Sequence, residues 1–240
     1  MLDKIKLIEY DSIGSTNAEA KKYAKEAESF EPVVFLAHEQ TAGRGRLGRS
    51  FLSRRDRGIY LSVLTFADGA LSDAVSVTTR AAVVVARAIE AVTGNPMKIK
   101  WVNDIYNNKG KVAGILAESV SVCDKTAVIV GVGINIGEDD FCGELASIAS
   151  SIGMLAEKEK NELIELIARG LIYVSELEYM VEYRKRFMLE GERVELFSAG
   201  ESLGFGTVLG VDDTGGLILI YDGEKDARII RTGEVSVRKR

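Results

Sequence analysis

The chain has 240 residues, 46% of them apolar and 28% charged, with a net charge of −5. This is the composition of a globular protein with one sizeable core and room for a small second domain, and its acidic balance argues against nucleic acid as a partner. The longest apolar run, Ala81–Ala86, falls far below the roughly 18 residues of a membrane span; two cysteines (Cys123, Cys142), one histidine and no CxxC motif argue against a zinc site or a disulfide framework and favour a reducing cytoplasm.

The start, Met1-Leu-Asp-Lys-Ile-Lys6, is charged at once and does not read as a signal peptide. Residues 4–10 alternate apolar and polar, the pattern of a strand. Thr16 followed by Glu19 spells a capping box, which places a helix from Thr16 to about Glu28. Val33–Ala37 reads as a buried strand, 39–57 as an aperiodic loop, and Gly58–Phe66 as strand again. Ser72–Thr93 is the clearest helix: Val77, Ala81, Val84, Val85, Ala88 and Val92 recur at three- and four-residue steps, and Gly94 and Pro96 follow as a stop. Met97–Trp101 reads as strand, Asn103-Asp104 as a bend and Asn107–Gly110 as a hairpin turn, with strands over Lys111–Val122 and Thr126–Ile136. A long helix is predicted over Lys158–Glu190, with Leu163, Ile167, Leu171, Val174 and Leu177 on one face and a break near Gly170. From Gly191 short strands alternate with turns: Arg193–Phe197, Gly204–Val211, Leu217–Tyr221, Ala227–Arg231 and Val235–Arg238. This texture suggests a small β-barrel, so the predicted division is 1–190 and 191–240.

The most informative stretch is Gln40-Thr-Ala-Gly-Arg-Gly-Arg-Leu-Gly-Arg-Ser50. Residues 44–57 hold six arginines against one acid, Asp56, in an acidic chain. Gly43, Gly45 and Gly48 free backbone amides to turn toward an anion. Arginine adds forked donors suited to carboxylate or phosphate. The stretch reads as a loop that clasps a polyanion and orders on it; a solvated basic surface loop is the competing reading. Its fit to GxGxxG and to the Walker phosphate loop is accidental, because both need a helix next and Ile59–Phe66 reads as strand.

Asn103 and Asp104, at a strand end, suit polar ligand groups or a hydrated Mg²⁺, or simply a turn. Lys111 opens an apolar strand, from which its ammonium can reach a cleft or remain an edge lysine. Gly131-Val-Gly-Ile-Asn135 puts two glycines inside a strand, marking close approach of a ligand or a bulge.

In order and spacing, Ser15-Thr16-Asn17, the Gln40–Arg49 loop, Lys100-Trp-Val-Asn-Asp104, Lys111-Val-Ala-Gly-Ile-Leu116 and Gly131–Asn135 resemble the biotin protein ligases. The C-terminal Gly233-Glu-Val-Ser-Val-Arg238 also resembles that family's small domain, so the likeness covers nearly the whole chain. It implies an α/β (α+β) fold: a mixed sheet with helices, like class II aminoacyl-tRNA synthetases, followed by an SH3-like barrel. It further implies ATP-dependent activation of biotin, with Mg²⁺, to biotinyl-AMP. Transfer then goes to a lysine of a biotin carboxyl carrier protein, by a cytoplasmic homodimer. Ser15-Thr-Asn comes too early for an N-terminal DNA-binding domain, so the ligase-only form is expected. By motif position Ser15, Thr16, Asn17, Gln40, Gly43, Arg44 and Gly114 line the biotin site, and Lys111 reaches the biotin carboxylate and the α-phosphate. Arg46, Arg49, Trp101, Asn103 and Asn135 serve ATP, with Lys111, Arg46 and Asp104 catalytic and no fixed protein metal site. The chain departs from the family at Val102, where proline is usual, and in Phe51–Arg57, which lacks the usual tryptophan and proline. A lipoate or octanoyl ligase and a non-catalytic ligase-like binder are the alternatives; the former's histidine-bearing loop is not seen, and His38 reads as structural.

Overall fold

The computed structural model describes residues 5–69, 74–173, 179–198, 200–231 and 235–239. Its centre is a seven-stranded sheet made of β1 (Lys6–Tyr10), β2 (Val33–Ala37), β3 (Gly58–Asp68), β4 (Lys98–Lys100), β5 (Asp104–Tyr106), β6 (Lys111–Val122) and β7 (Lys125–Asn135). They lie in the order β1-β2-β3-β7-β6-β5-β4. β1 and β2 are parallel and every other neighbour is antiparallel. A parallel pair needs a crossover, and helix α1 (Thr16–Glu26) supplies it. β3 and β7 pair over their whole length, from Gly58↔Asn135 to Asp68↔Lys125. The run Ile59–Leu64 is buried without alternation, as expected of a strand covered on both faces.

The two faces are covered unequally. Helices α2 (Ala74–Thr93) and α3 (Glu157–Ile172) lie on one face, joining Ala81–Ala86, Leu163 and Ile167 to Leu61, Val63, Val128, Val130 and Val132 in the large core. Burial of such side chains stabilises by roughly 1.5–3 kcal/mol each. On the other face only α1 packs, through Ala20 and Ala24 against Val33, Phe35, Leu64 and Ile129. Its two alanines let the helix lie close, but it reaches only one end of the sheet. The rest of that face is the floor of the site described below.

A second sheet holds β8 (Arg193–Ser198), β9 (Glu201–Val211), β10 (Leu217–Tyr221), β11 (Arg228–Ile230) and β12 (Val235–Lys239), antiparallel in the order β11-β10-β9-β8-β12. It stands where the sequence predicts the small barrel, and no pairing among the described residues joins β11 to β12. Its interior side chains Val194, Leu196, Val208, Leu217 and Leu219 are continuous with the large core.

The predicted elements recur with small shifts, and the exceptions are informative. The bend at Asn103-Asp104 leads into a three-residue strand, because Asp104–Tyr106 lies between β4 and β6. The capping box at Thr16 does not form: Ser15 is the N-cap, and the Thr16 hydroxyl donates to Gln40 Oε1 instead. The long predicted helix is α3 followed by α4 (Tyr179–Arg186). Val174 and Leu177, with residues 1–4, Ser72, Asp73 and Gly233, lie outside the described residues. α3 runs unbroken through Gly170, whose missing side chain has a packing reason: a Cβ there meets Val84 Cγ1 at 2.5 Å. Gly170→Val is therefore expected to lower stability by about 1–3 kcal/mol through overpacking, although valine is the better helix former. A fall in the denaturant midpoint at unchanged slope checks this, and an unchanged midpoint refutes the close crossing of α2 and α3.

Candidate active site

The floor is set by three glycines. Gly114 on β6 pairs with Gly133 on β7, and Gly131 lies two residues further along β7. A Cβ on Gly133 meets the Phe51 ring at 2.5 Å, and one on Gly131 would overlap Asn17 Oδ1. Side chains from elsewhere therefore lie directly on bare backbone.

One wall is the start of α1. Thr16 donates to Gln40 Oε1 from its amide at 2.9 Å and from its hydroxyl at 3.1 Å. Asn17 Nδ2 donates to Leu116 O and to Glu118 Oε2 at 2.8 Å. Ser62, on β3 opposite Gly131, stands 2.6 Å from Asn17 Oδ1 and 2.7 Å from Thr16 Oγ1. Ser15, Thr16, Asn17 and Ser62 are all buried.

The roof is the arginine-rich segment, which folds as a hairpin. Phe51 N donates to Gly43 O at 2.9 Å and Gly45 N to Arg49 O at 2.7 Å, around a tip at Arg46–Gly48. Gln40 Nε2 donates to Ser53 Oγ at 3.0 Å, and Thr41 and Ala42 amides bond to Ile13 and Gly14 carbonyls, tying the stem to the β1–α1 turn. Gly43 has no room for a side chain, since a Cβ meets Phe51 O at 2.5 Å. A strand, β3, follows this segment, so neither generic phosphate-loop pattern is realised.

The cations gather at the far wall. Lys111 Nζ stands 2.6 Å from Asp104 Oδ1, in a contact that is electrostatic rather than an aligned hydrogen bond. Arg46 donates to Asn103 Oδ1 at 3.0 Å, and Asn103 Nδ2 to Ile115 O. Burial pulls the Arg46 guanidinium below the ordinary arginine range and the Asp104 carboxylate opposes this; it remains a cation at neutral pH. Tyr183 of α4 is fully buried, its hydroxyl donating to Val102 O, and burial pushes its phenol upward. The Trp101–Val102 peptide is cis.

A bulge aims Lys111. β5 pairs Ile105 with Ala113 but Tyr106 with Lys111, which leaves Val112 as an extra residue. Strict alternation would put Lys111 on the face of Ala113. With the extra residue its Nζ lies 3.3 Å from the Cβ position of Gly114, beside the Phe51 ring. Bulges re-aim side chains in this way.

Asn135 closes the end of the floor, donating to Ser150 O at 2.9 Å and to Lys111 O at 3.4 Å. A depression beside it is lined by Leu52, Arg54, Arg57, Tyr60 and Phe141. The structure thus brings together Thr16, Asn17, Gln40 and Gly43, and separately Arg46, Asn103, Asp104, Lys111 and Gly114. Arg44 and Arg49 lie on the exposed side of the hairpin. Trp101 is buried, its indole N–H donating to Gly215 O. Sequence reasoning missed Phe51, Ser53, Ser62, Glu118 and Tyr183; only Ser62, a lone polar residue within the apolar run of β3, offered a signal.

A polar pocket opening onto a lysine and a partly buried arginine has the make-up of a site that activates a small carboxylic acid. A model of the "Biotin/lipoate A/B protein ligase family" matches residues 10–135, and the chain belongs to that family. It is similar to the bifunctional ligase/repressor BirA of Bacillus spizizenii, with 35% identity covering 89% of this chain and 69% of that protein. It is also similar to the biotin–[acetyl-CoA-carboxylase] ligase of Paracoccus denitrificans, with 31% identity covering 92% and 96%. The biotin protein ligase of Aquifex aeolicus in complex with biotin and ATP superposes with a TM-score of 0.79 at 26% identity, covering 98% of this chain and 99% of that one.

Gly133→Ala is expected to lift Phe51 off the floor while leaving the sheet paired. Loss of upfield-shifted ring-current signals at Gly114 and Gly133 amides checks this, and unchanged spectra refute the contact.

Proposed function

We infer that the chain joins biotin to AMP with ATP, releasing pyrophosphate, and passes the biotinyl group to a carrier lysine. The carrying observation is the meeting of Lys111 and Arg46 at one end of a glycine floor whose other end is a hydrogen-bonding network of Thr16, Asn17, Gln40 and Ser62. Relatives named as biotin ligases, and the Aquifex aeolicus structure with biotin and ATP, support this reading. The acceptor is proposed to be a biotin carboxyl carrier protein, in keeping with relatives named for acetyl-CoA carboxylase.

The first reaction brings a carboxylate to a phosphate, so its barrier is largely electrostatic and fixed cations lower it. Lys111 is proposed to leave Asp104 and bridge the biotin carboxylate and the α-phosphate, holding them in line. Arg46, anchored by Asn103, faces the phosphates from the roof, and the depression beside Asn135 takes the nucleoside. Arg44 and Arg49 reach the ligands by movement of the hairpin on which they lie exposed. Among the described residues no cluster of three or more His, Cys, Asp or Glu offers a cage for a metal. Mg²⁺ is proposed to arrive on the triphosphate oxygens.

The second reaction is attack by an amine on a mixed anhydride that water also destroys. The Arg46–Asn103 bond shuts the hairpin against the 103–104 turn and excludes water. Asp104, released by Lys111, is the carboxylate placed to take a proton from the incoming ammonium.

Biotin-dependent pyrophosphate release from ATP tests the first step. Lys111→Ala is expected to lower it roughly 10²–10³-fold, whereas Asp104→Asn is expected to slow transfer to the carrier more than pyrophosphate release. Equal loss of both steps in Asp104→Asn removes the proton-acceptor role, and release that ignores biotin overturns the function. Arg46→Gly opens the roof, and free biotinyl-AMP is expected in solution, read as labelling of bystander lysines. Full retention of the adenylate refutes the closure.

A further inference from the structure

We propose that Glu118, held by Lys21, is a positioning residue that fixes the direction of the Asn17 amide and so makes this end of the site an acceptor surface for a ligand with paired N–H donors, such as a cyclic urea. The identity of that ligand rests on the ligase reading above.

An asparagine amide has a donor end and an acceptor end of the same shape, and only its partners distinguish them. Asn17 is 5% exposed, so its partners decide without help from water. Its nitrogen faces Glu118 Oε2 at 2.8 Å and Leu116 O at 3.2 Å, two groups that only accept. The oxygen is therefore the end that lies above Gly131 against Ser62. Direction then propagates. Thr16 gives its hydroxyl hydrogen to Gln40 Oε1, the Gln40 amide donates to Ser53 Oγ, and Ser53 donates to Phe51 O. Ser62 has one hydrogen and two acceptors beside it, Asn17 Oδ1 and Thr16 Oγ1. The hydrogens of Asn17, Thr16 and Ser62 and one of Gln40 thus point at protein acceptors, and Asn17 Oδ1 is held as an acceptor. The Asn17 oxygen offers a lone pair that a ring bearing N–H groups satisfies and a dithiolane ring does not. A site built to meet polar ligand groups rejects an analogue that lacks them.

Glu118 brings charge into this chain of contacts, and its charged partner is Lys21. It lies on the site face of β6, four residues beyond Gly114, and Lys21 follows Asn17 by one turn of α1. Lys21 Nζ meets Glu118 Oε1 at 2.5 Å while Oε2 accepts from Asn17, so each carboxylate oxygen has one partner. Glutamine at 118 has one acceptor for two donors. The ammonium takes it, as the stronger partner, and the glutamine NH₂ faces the Asn17 NH₂, so the amide either loses this partner or turns its oxygen against Leu116 O.

The test is Glu118→Gln, alone and with Lys21→Ala. In Glu118→Gln the Kd for biotin is expected to rise about tenfold, the effect of one misdirected buried hydrogen bond, with ATP KM and the rate at saturating biotin unchanged. In Glu118→Gln/Lys21→Ala the glutamine carbonyl is free to accept from Asn17, and biotin affinity is expected to return. The Asn17 side-chain NH₂ resonances, read by ¹⁵N NMR on the ligand-free protein, are expected to move in the single variant and return in the double. Wild-type affinity in the single variant, no recovery in the double, or unmoved Asn17 resonances overturns the proposal. Wild-type protein that binds no biotin overturns the ligase reading instead, and the Asn17 resonances then decide the role of Glu118 by themselves.

Discussion

The bare floor at Gly114, Gly131 and Gly133 is the constraint on which the rest depends. The unbroken burial of Ile59–Leu64 shows cover on both faces of β3, and α2 and α3 supply it on one. On the other, α1 stops at the glycines. Backbone hydrogen bonds of the floor are met within the sheet, so no polar group is stranded there. What is absent is apolar cover, and Phe51 is the one large side chain laid across it. The hairpin that carries Phe51 has to return over the sheet, which is why its stem is tied to the β1–α1 turn by backbone bonds. The site is thus the part of an ordinary sheet core that side chains have been withheld from.

Charge is arranged in two regimes around this floor. Arg55 pairs with Asp11, and Arg54 and Arg57 share Asp140. These pairs are substantially exposed, so each is worth about 0–1 kcal/mol and weakens with salt. They tether the segment after the hairpin to the loops on either side, in a stretch that has no proline to stiffen it. Arg46 and Lys111 belong to the other regime. Arg46 and Lys111 are both partly buried, and low polarisability around them makes their fields stronger. Burying such cations is unfavourable by itself, and Asp104 with Asn103 offsets this.

The strands and helices were legible because their periodicity is strong, and the reaction class was legible from the motif order. What stayed hidden has physical causes. β5 is three residues long, and neighbours on both sides rather than propensity make it a strand. Thr16 and Glu19 matched a capping box, yet the Thr16 hydroxyl serves Gln40, a partner 24 residues away that no local rule contains. Gly170 looked like a helix breaker because its reason lies on another helix, at Val84. Lys111 could be read as a candidate but not aimed, since aiming it takes the extra residue at Val112, visible only once β5 and β6 are paired. Glu118 carried no motif, and its significance lies in what its two oxygens face.

The second sheet bears on the same site from behind. The Trp101 indole donates to Gly215 O at 2.9 Å, and Gly215 lies so close to Thr79 of α2 that a Cβ there meets it at 2.8 Å. Gly215 also adopts a φ of +89°, a conformation open to glycine, within a turn organised by Asp212, which accepts from the Thr214 and Gly216 amides. The turn between β9 and β10 is thereby pinned between α2 and the residue that opens the 101–104 turn. Tyr183 holds the next carbonyl, Val102 O, from α4. Asn103 and Asp104 then follow with their backbone fixed from two directions, which suits the proposed release of Asp104 by Lys111: the side chain can change its contact while its Cα is held. Packing at the far side of the molecule thus sets where the charges of the site stand.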